Sequence, residues 1–255
     1  MRARQGFTLV EMMVTVVIVA ALAASAWSFV RRGVEAAQMA ESTSNLRQLA
    51  SANAGYLADH QTYSPATEKR NLRRWHGGRT SRKGRFDPAA GFLAPYLGES
   101  REIGFCPRLL SMIDDPDSWE SGSGGYGYNA TYLGGTPADP YRPNVPANVR
   151  QASNTLMFAT TALAKSGGLQ EYPFAEPRQW VDPNGRLAGP LQPSVHFRFS
   201  GKALIAWCDG SVSAEPMTEK SELNYYGGSN EKSAIGFPGP ATNNGWWNPN
   251  RKTSP

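Results

Sequence analysis

The chain has 255 residues, enough for an N-terminal anchor and one medium-sized globular domain. Its 26 glycines and 19 prolines, with only 18% charged residues, favour a loop-rich domain over a helical one. The formal net charge is +5, and it is +4 (24 basic and 20 acidic residues) without Arg2, Arg4 and Glu11 of the N-terminal segment. So small an excess is weak evidence for a polyanionic partner.

The N-terminal segment is apolar apart from one carboxylate. The 19 residues from Met12 to Val30 include no charged side chain and no proline. As one helix they would span about 28 Å, close to the thickness of a bilayer's hydrocarbon core. Glu11 stands at the start of this run, where an unpaired charge in lipid costs about 2–4 kcal/mol. Such a charge is expected to have a function and a partner.

Two ordinary interpretations of this segment are available. Arg2 and Arg4 before an apolar run, with small residues at 24–26, fit a cleaved secretory signal. The length of the run also fits a plain single-span anchor. However, a carboxylate is a defect in an ordinary signal, and it has no purpose in a plain anchor.

A third interpretation accounts for the carboxylate. Gly6, Phe7 and Glu11, with Thr-Leu-Val at 8–10, resemble the type IV prepilin leader. In that family a short basic leader ends in Gly, Phe usually follows, and Glu is the fifth mature residue. The resemblance implies a leader at 1–6 and a transmembrane or filament-core helix at 7–30.

The prepilin resemblance also implies a mechanism. A prepilin peptidase would cut after Gly6 on the cytoplasmic face and methylate the new N-terminus at Phe7. The Phe7 amine, with an ordinary pKa of about 7.7–8.0, would be positive near neutrality. Glu11 is its expected counter-ion in assembly, in the same chain or in a neighbouring subunit. The N-in orientation follows from this resemblance, because arginines flank both ends of the apolar run.

The helical pattern continues beyond the apolar run. Apolar residues recur at helical spacing through 31–58, which predicts an amphipathic continuation and one long helix from about residue 8 to about 58. Gly33 and Gly55 are positions where this helix could bend or end.

Residues 61–150 are predicted to be irregular. Eight Lys/Arg and no acid lie between Lys69 and Arg85, which favours a solvated loop over a contact with another subunit's acidic loop or with an extracellular polyanion. A cluster of acids follows at Asp114, Asp115, Asp117 and Glu120. Ca²⁺ binding is conceivable there, but the spacing lacks the EF-hand glycine, so a solvated loop is favoured and no cofactor is assigned.

Strands are predicted late in the chain. Residues 155–160 form an apolar run typical of a buried strand, and 203–208 and 211–213 flank Asp209-Gly210, a strong hairpin signal. The tail at 225–255 is rich in Gly, Asn and Pro, and we expect it to pack by its aromatic residues rather than by regular structure.

A second resemblance covers most of residues 1–215. Many prepilin-like proteins carry a globular region with a His, nine residues and then Asp-Gly. Other landmarks of that group are present here: Asn45-Leu46-Arg47-Gln48, Tyr96-Leu97, Phe105-Cys106-Pro107, Gly127-Tyr128-Asn129 and the run at 154–159. Counting back from Asp209, however, places Phe199 where the His should stand, and His196 is three residues too early. No role of that His can therefore be carried over.

The sequence contains no recognisable catalytic or metal-binding constellation, so we do not expect an enzyme. His60, His76 and His196 are expected to be surface or locally bonded residues. Cys106 and Cys208 are compatible with a disulfide, which a non-cytoplasmic compartment would permit, or with two free buried thiols.

Together these features predict an α+β, pilin-like fold: a long N-terminal helix packed on an antiparallel sheet, with a loop-rich globular domain at 59–255. The predicted function is that of a subunit of a type IV pilus-like or type II secretion pseudopilus filament. The expected partners are prepilin peptidase, other pilin or pseudopilin subunits, the bacterial inner membrane and an assembly platform. The globular domain would be extracytoplasmic, with the assembled filament in the periplasm or at the cell surface.

An alternative function is a membrane-tethered extracytoplasmic module that binds glycan or, less expectedly, nucleic acid. In that case Trp75 and Trp246-Trp247 would be the stacking platforms.

Overall fold

The computed structural model describes residues 8–113, 120–135, 142–182 and 184–250. Its largest element is helix α1 (Leu9–His60), whose 52 residues correspond to about 78 Å. The helix ends at Gln61, which adopts a left-handed conformation (φ 59°) and donates its N–H to the Leu57 carbonyl at 2.9 Å. The predicted single helix over residues 8–58 is confirmed, and it continues through Gly33 and Gly55 without a break.

Short strands and helical turns make up the rest of the described chain. The strands are β1 (Arg73–Arg74), β2 (Gly77–Gly78), β3 (Tyr126–Tyr128), β4 (Leu156–Thr160), β5 (Leu163–Lys165), β6 (Gly168–Gln170), β7 (Gln179–Val181), β8 (Leu187–Pro190), β9 (Val195–His196), β10 (Lys202–Trp207), β11 (Val212–Lys220) and β12 (Ile235–Pro238). The helical turns are α2 (Pro107–Leu110), a π turn at Ala130–Gly134, and 3₁₀ turns at Pro88–Ala90, Ala94–Tyr96, Pro146–Asn148, Ala152–Asn154 and Thr242–Trp247.

The main sheet is antiparallel, with six strands in the order β3-β4-β10-β11-β12-β9. The predicted strand at 155–160 is confirmed as β4. The predicted hairpin is confirmed as β10 and β11, with Gly210 at φ 86° in the turn and Asp209 accepting the Ser211 N–H at 2.9 Å. Strand β9 also bridges Thr161, just after β4, so the sheet curls back on itself.

The sheet separates two apolar cores. Strand β10 contributes to both, because its side chains alternate between the two faces. Leu204 and Ala206 pack in the core beneath α1, whereas Ile205 and Trp207 pack in the second core with Trp247. The continuous apolar sequence of β10 is therefore explained by burial on both faces.

The second half of α1 is held in the first core by an amphipathic stripe, as predicted. Leu46 and Leu49 are fully buried, and the Asn45 amide donates to the Gly104 carbonyl (3.1 Å) and to the Tyr126 hydroxyl (3.1 Å). With one apolar face and a buried amide fixed on loop carbonyls, this half of the helix belongs to the globular domain.

The prediction for the C-terminal tail was partly wrong. Residues 235–238 form strand β12, which pairs with β11 and β9. A four-residue strand of Ile-Gly-Phe-Pro carries little β signal of its own, and its partners determine its structure. The expected aromatic packing is confirmed, since Trp247 is fully buried and donates its indole N–H to the Ala175 carbonyl at 2.8 Å.

Gly55 marks a close approach of the globular domain to α1. A Cβ at this position would lie 2.8 Å from Cδ1 of Tyr96. We expect Gly55→Ala to lower the free energy of unfolding by about 1–3 kcal/mol through overpacking, despite the better helix propensity of alanine. Gly33→Ala is the matched control, because nothing lies within 4 Å of that position. Thermal denaturation followed by near-UV circular dichroism should show a lower Tm only for Gly55→Ala, and equal Tm values would contradict this contact.

Candidate functional site

The first half of α1 projects from the rest of the molecule. We call residues 9–34 the stem, and the remainder of the described chain the head. The large apolar side chains of the stem are more than half exposed, up to 76% for Leu9. The helix is long and apolar enough to cross a membrane, with a mean hydropathy of 2.3 over an 18-residue window that is not buried at all. Exposed apolar surface on this scale indicates burial in lipid or against other chains.

The stem leaves the head at Glu35. The Ser200 hydroxyl, in the turn before β10, donates to the Glu35 carboxylate at 2.7 Å. The described side chains of the stem before Glu35 are exposed, and Arg31 and Arg32 flank the apolar run there. The stem of 26 residues is therefore an extension of about 39 Å.

Glu11 forms a reciprocal capping box with Thr8 at the free end of the stem. The Thr8 hydroxyl accepts the Glu11 N–H at 3.3 Å, and the Thr8 N–H and hydroxyl both donate to Glu11 Oε2 at 2.8 Å. These contacts satisfy two N–H groups that a helix start leaves without partners, and the carboxylate lies at the positive end of the helix dipole. Glu11 thus organises the helix start and still presents its charge there.

The capping role of Thr8 was missed at the sequence level, although the signal was present. Thr8-Leu9-Val10-Glu11 fits the Ser/Thr-x-x-Glu pattern of a capping box. Gly6 and Phe7 lie outside the described residues, so cleavage after Gly6, methylation of Phe7 and pairing of Glu11 with the Phe7 amine stay predictions.

The basic segment at 69–85 is not simply a solvated loop. Arg74 is 4% exposed, and its guanidinium forms a bidentate ion pair with Glu120, in which Nη2 lies 3.2 Å from Oε1. Arg74 Nε also donates to Asn71 Oδ1 at 2.8 Å. At least this contact between basic and acidic segments is made within one chain. The other acids of the cluster, at 114, 115 and 117, lie outside the described residues.

Two of the three histidines depart from expectation. His76 and His196 are 1% and 0% exposed, and in the described part of the chain neither ring nitrogen of either residue has a hydrogen-bond partner. Burial, together with nearby arginines, holds the pKa of both well below the ordinary value of 6.5. His60 does make a local contact, because its ring stacks on Tyr56 at 4.1 Å. Phe199, at the position expected for a family histidine, is a core residue.

Cys106 and Cys208 are separate thiols, so the disulfide alternative is wrong for this structure. Cys106 Sγ accepts a hydrogen bond from Ser42 at 3.2 Å, whereas Cys208 lies beside Tyr63. The Ser64 N–H, one residue after Tyr63, donates to Asn53 Oδ1 at 2.9 Å. Asn53 lies about 16 Å along the helix from Ser42. The two thiols therefore lie against different parts of the helix. Burial raises the pKa of Cys208 to about 12, which keeps it protonated.

Two of the three stacking platforms of the alternative function are not accessible. Trp75 and Trp247 are fully buried, whereas Trp246 is half-buried and packs edge-on against Trp207 with ring centroids 5.1 Å apart. Trp75 donates its indole N–H to the Pro173 carbonyl at 2.8 Å. All three rings pack in or against the two cores.

Comparison with known proteins bears on the N-terminal segment alone. Residues 1–27 match a family model described as the prokaryotic N-terminal methylation motif. Neither the curated proteins nor the solved structures gave a match. The matched segment ends within the stem and includes Glu11.

Proposed function

From the prepilin-type N-terminus that this motif supports, we propose that the protein is a filament subunit of the type IV pilus or type II secretion pseudopilus class. Prepilin peptidase cuts it after Gly6 and methylates Phe7. It is held as a single-pass protein in the inner membrane, with the head outside the cytoplasm, until it joins other subunits through an assembly platform. Its role is structural rather than enzymatic. The globular region with the shifted histidine is assigned to the same group of prepilin-like proteins.

The observation that carries this proposal is the exposed apolar stem with one carboxylate at its tip. A stem that only anchored the head would gain nothing from a charge at that depth. In a bundle of stems, Glu11 can meet the Phe7 amine created by cleavage, and each apolar stem exchanges lipid contacts for contacts with its neighbours. The membrane then holds a pool of subunits, and the apolar stems are kept out of water both before and after assembly.

The capping box suggests how the pair is prepared. The Thr8 contacts engage Glu11 Oε2 and hold the carboxylate within the first turn of the helix. After cleavage, the Phe7 amine is one residue from that capped turn. The carboxylate is therefore positioned before the partner charge appears, which reduces the side-chain entropy lost on pairing.

Mass spectrometry of the protein from its native host tests the processing step directly. The mature chain should begin with N-methylated Phe7, and deletion of the host's prepilin peptidase should leave the full-length precursor. A Gly6→Ala control should also accumulate as precursor. A mature N-terminus near residues 25–27 would contradict the proposal, because it would identify an ordinary signal peptide.

A further inference from the structure

A two-lobed cleft crosses the head between the segment at 67–74 and the chain at 163–180. The first lobe has a volume of about 280 Å³ and the second about 330 Å³. Asn71, Arg74, Tyr172 and Phe174 line both lobes, and we call these four shared residues the common floor. A concave site with a few convergent polar groups on an aromatic lining is the usual form of a small-ligand site.

The common floor is rigidly built. The buried Arg74–Glu120 pair fixes the guanidinium, whose Cζ lies 5.2 Å from the ring centroid of Phe174 and 4.7 Å from that of Phe86. The rings of Tyr172 and Phe174 pack edge-on at 5.6 Å. The floor is thus formed before any ligand arrives, which lowers the entropic cost of binding.

Each lobe presents one exposed aromatic ring. Trp180, in the first lobe, is 40% exposed, and Tyr226, in the second, is 45% exposed. Of the three tryptophans expected to be platforms, Trp75 and Trp247 are fully buried and Trp246 is half-buried. A flat apolar face in each lobe can hold one apolar face of a ligand ring.

Polar groups without a complete set of partners accompany these rings. Glu176 is 9% exposed, and its Oε1 accepts from the Tyr172 hydroxyl at 2.6 Å. In the second lobe, Lys165 Nζ donates to Gln170 Oε1 at 2.6 Å. Among the described residues no hydrogen bond reaches Glu176 Oε2, the Gln170 amide nitrogen or the Tyr226 hydroxyl. The cleft therefore offers both donors and acceptors to a ligand.

The charges of the described lining residues argue against an anionic ligand. Arg74 and Glu120 neutralise each other, and the remaining charged side chains described in the two linings are Lys165 in the second lobe and Glu68 and Glu176 in the first. Two acids against one further cation disfavour phosphate. An alkylammonium group on the face of Phe174 would compete with the Arg74 guanidinium already there.

We propose that this cleft binds an uncharged oligosaccharide, with one sugar ring packed on Trp180 and another on Tyr226. The C–H faces of the sugars would contact the aromatic rings, while their hydroxyls would bond to Glu176, Gln170 and Tyr226. Each lobe has room for at least one pyranose ring. The site lies in the head of a single chain, so it does not depend on filament assembly.

The test uses the full chain in a polyoxyethylene detergent, because glucoside and zwitterionic detergents carry competing sugar or ammonium groups. The labelled protein is screened on an array of neutral oligosaccharides, and the strongest binder is titrated by calorimetry. Trp180→Ala and Tyr226→Ala should each weaken binding about tenfold or more, since each removes one ring of apolar contact. Tyr225→Ala is the matched control, because Tyr225 is 65% exposed and lines neither lobe.

The Glu176→Gln variant distinguishes the binding of a neutral sugar from the binding of a cation. The amide keeps a carbonyl oxygen for sugar hydroxyls, so sugar binding should fall by only a few-fold, whereas a cationic ligand would lose its counter-ion. Titration with choline and with inorganic phosphate completes the comparison, and neither should bind. The proposal is overturned if no neutral glycan binds, if Trp180→Ala and Tyr226→Ala bind as well as Tyr225→Ala, or if choline or phosphate binds in the cleft instead.

Discussion

Glu11→Gln is expected to abolish filament assembly while leaving membrane insertion and cleavage after Gly6 intact. Glutamine can still accept the Thr8 N–H, as Glu and Gln both do in capping boxes, so the helix start should be preserved. Only the charge is lost, and with it the pairing to the Phe7 amine. Sheared-filament yield, measured by immunoblot against the membrane-bound pool, should fall to background for the variant.

Two further variants separate the charge from the cap. Thr8→Val removes the hydroxyl that caps the helix but keeps the carboxylate, so assembly should persist at a reduced level. Glu11→Ala removes both functions and should fail at least as completely as Glu11→Gln. If Glu11→Gln assembles normally while Thr8→Val does not, the carboxylate acts only as a cap, and the pairing argument is wrong.

Glu120→Ala is expected to lower the free energy of unfolding of the head by about 3–5 kcal/mol, since it leaves the Arg74 guanidinium buried without a counter-ion. Both side chains are less than a tenth exposed, and Arg74 also lies against two phenylalanine rings. Equilibrium urea unfolding, followed by near-UV circular dichroism, measures the loss. A double variant, Arg74→Met with Glu120→Leu, should recover much of the stability, because it leaves no unpaired charge.

A solvent-exposed ion pair supplies the control for this loss. Lys220 and Glu231 approach to 2.8 Å, but both side chains are 72% exposed. Water and salt screen such a pair, so Glu231→Ala should leave the unfolding midpoint unchanged. An equal loss of unfolding free energy in Glu120→Ala and Glu231→Ala would show that burial does not determine how strongly the Arg74–Glu120 pair stabilises the head.

Local signals in the sequence predicted several elements well. The long helix follows from its apolar run and its amphipathic continuation, and the β10–β11 hairpin follows from Asp209-Gly210 between two strand-like runs. Strand β4 was also predictable, because a short apolar run bounded by polar residues indicates a buried strand. The pattern that defines each of these elements is local. It either lies within about 15 consecutive residues or repeats at a fixed spacing along the chain.

Features that depend on distant partners were not predictable in this way. The pairing of Arg74 with Glu120 joins positions 46 residues apart, and nothing near either position identifies the other. The burial of Trp75 and Trp247 likewise depends on distant residues, because Trp75 packs on Phe158 and Trp247 donates to the Ala175 carbonyl. The capping box of Thr8 and Glu11 is different, since it lies within four residues and could have been recognised.

Helix α1 runs unbroken through the junction of stem and head, so its own backbone hydrogen bonds, with the Ser200–Glu35 bond beside them, keep the two parts in line. Nothing in the described head lies within 4 Å of the Cβ position at Gly33, two residues before Glu35. Because the stem beyond the junction is about 39 Å long, each degree of bending in the helix there would displace the tip by about 0.7 Å. In a filament whose stems are held in register, the stiffness of this helix therefore sets how far a head can tilt without moving Glu11.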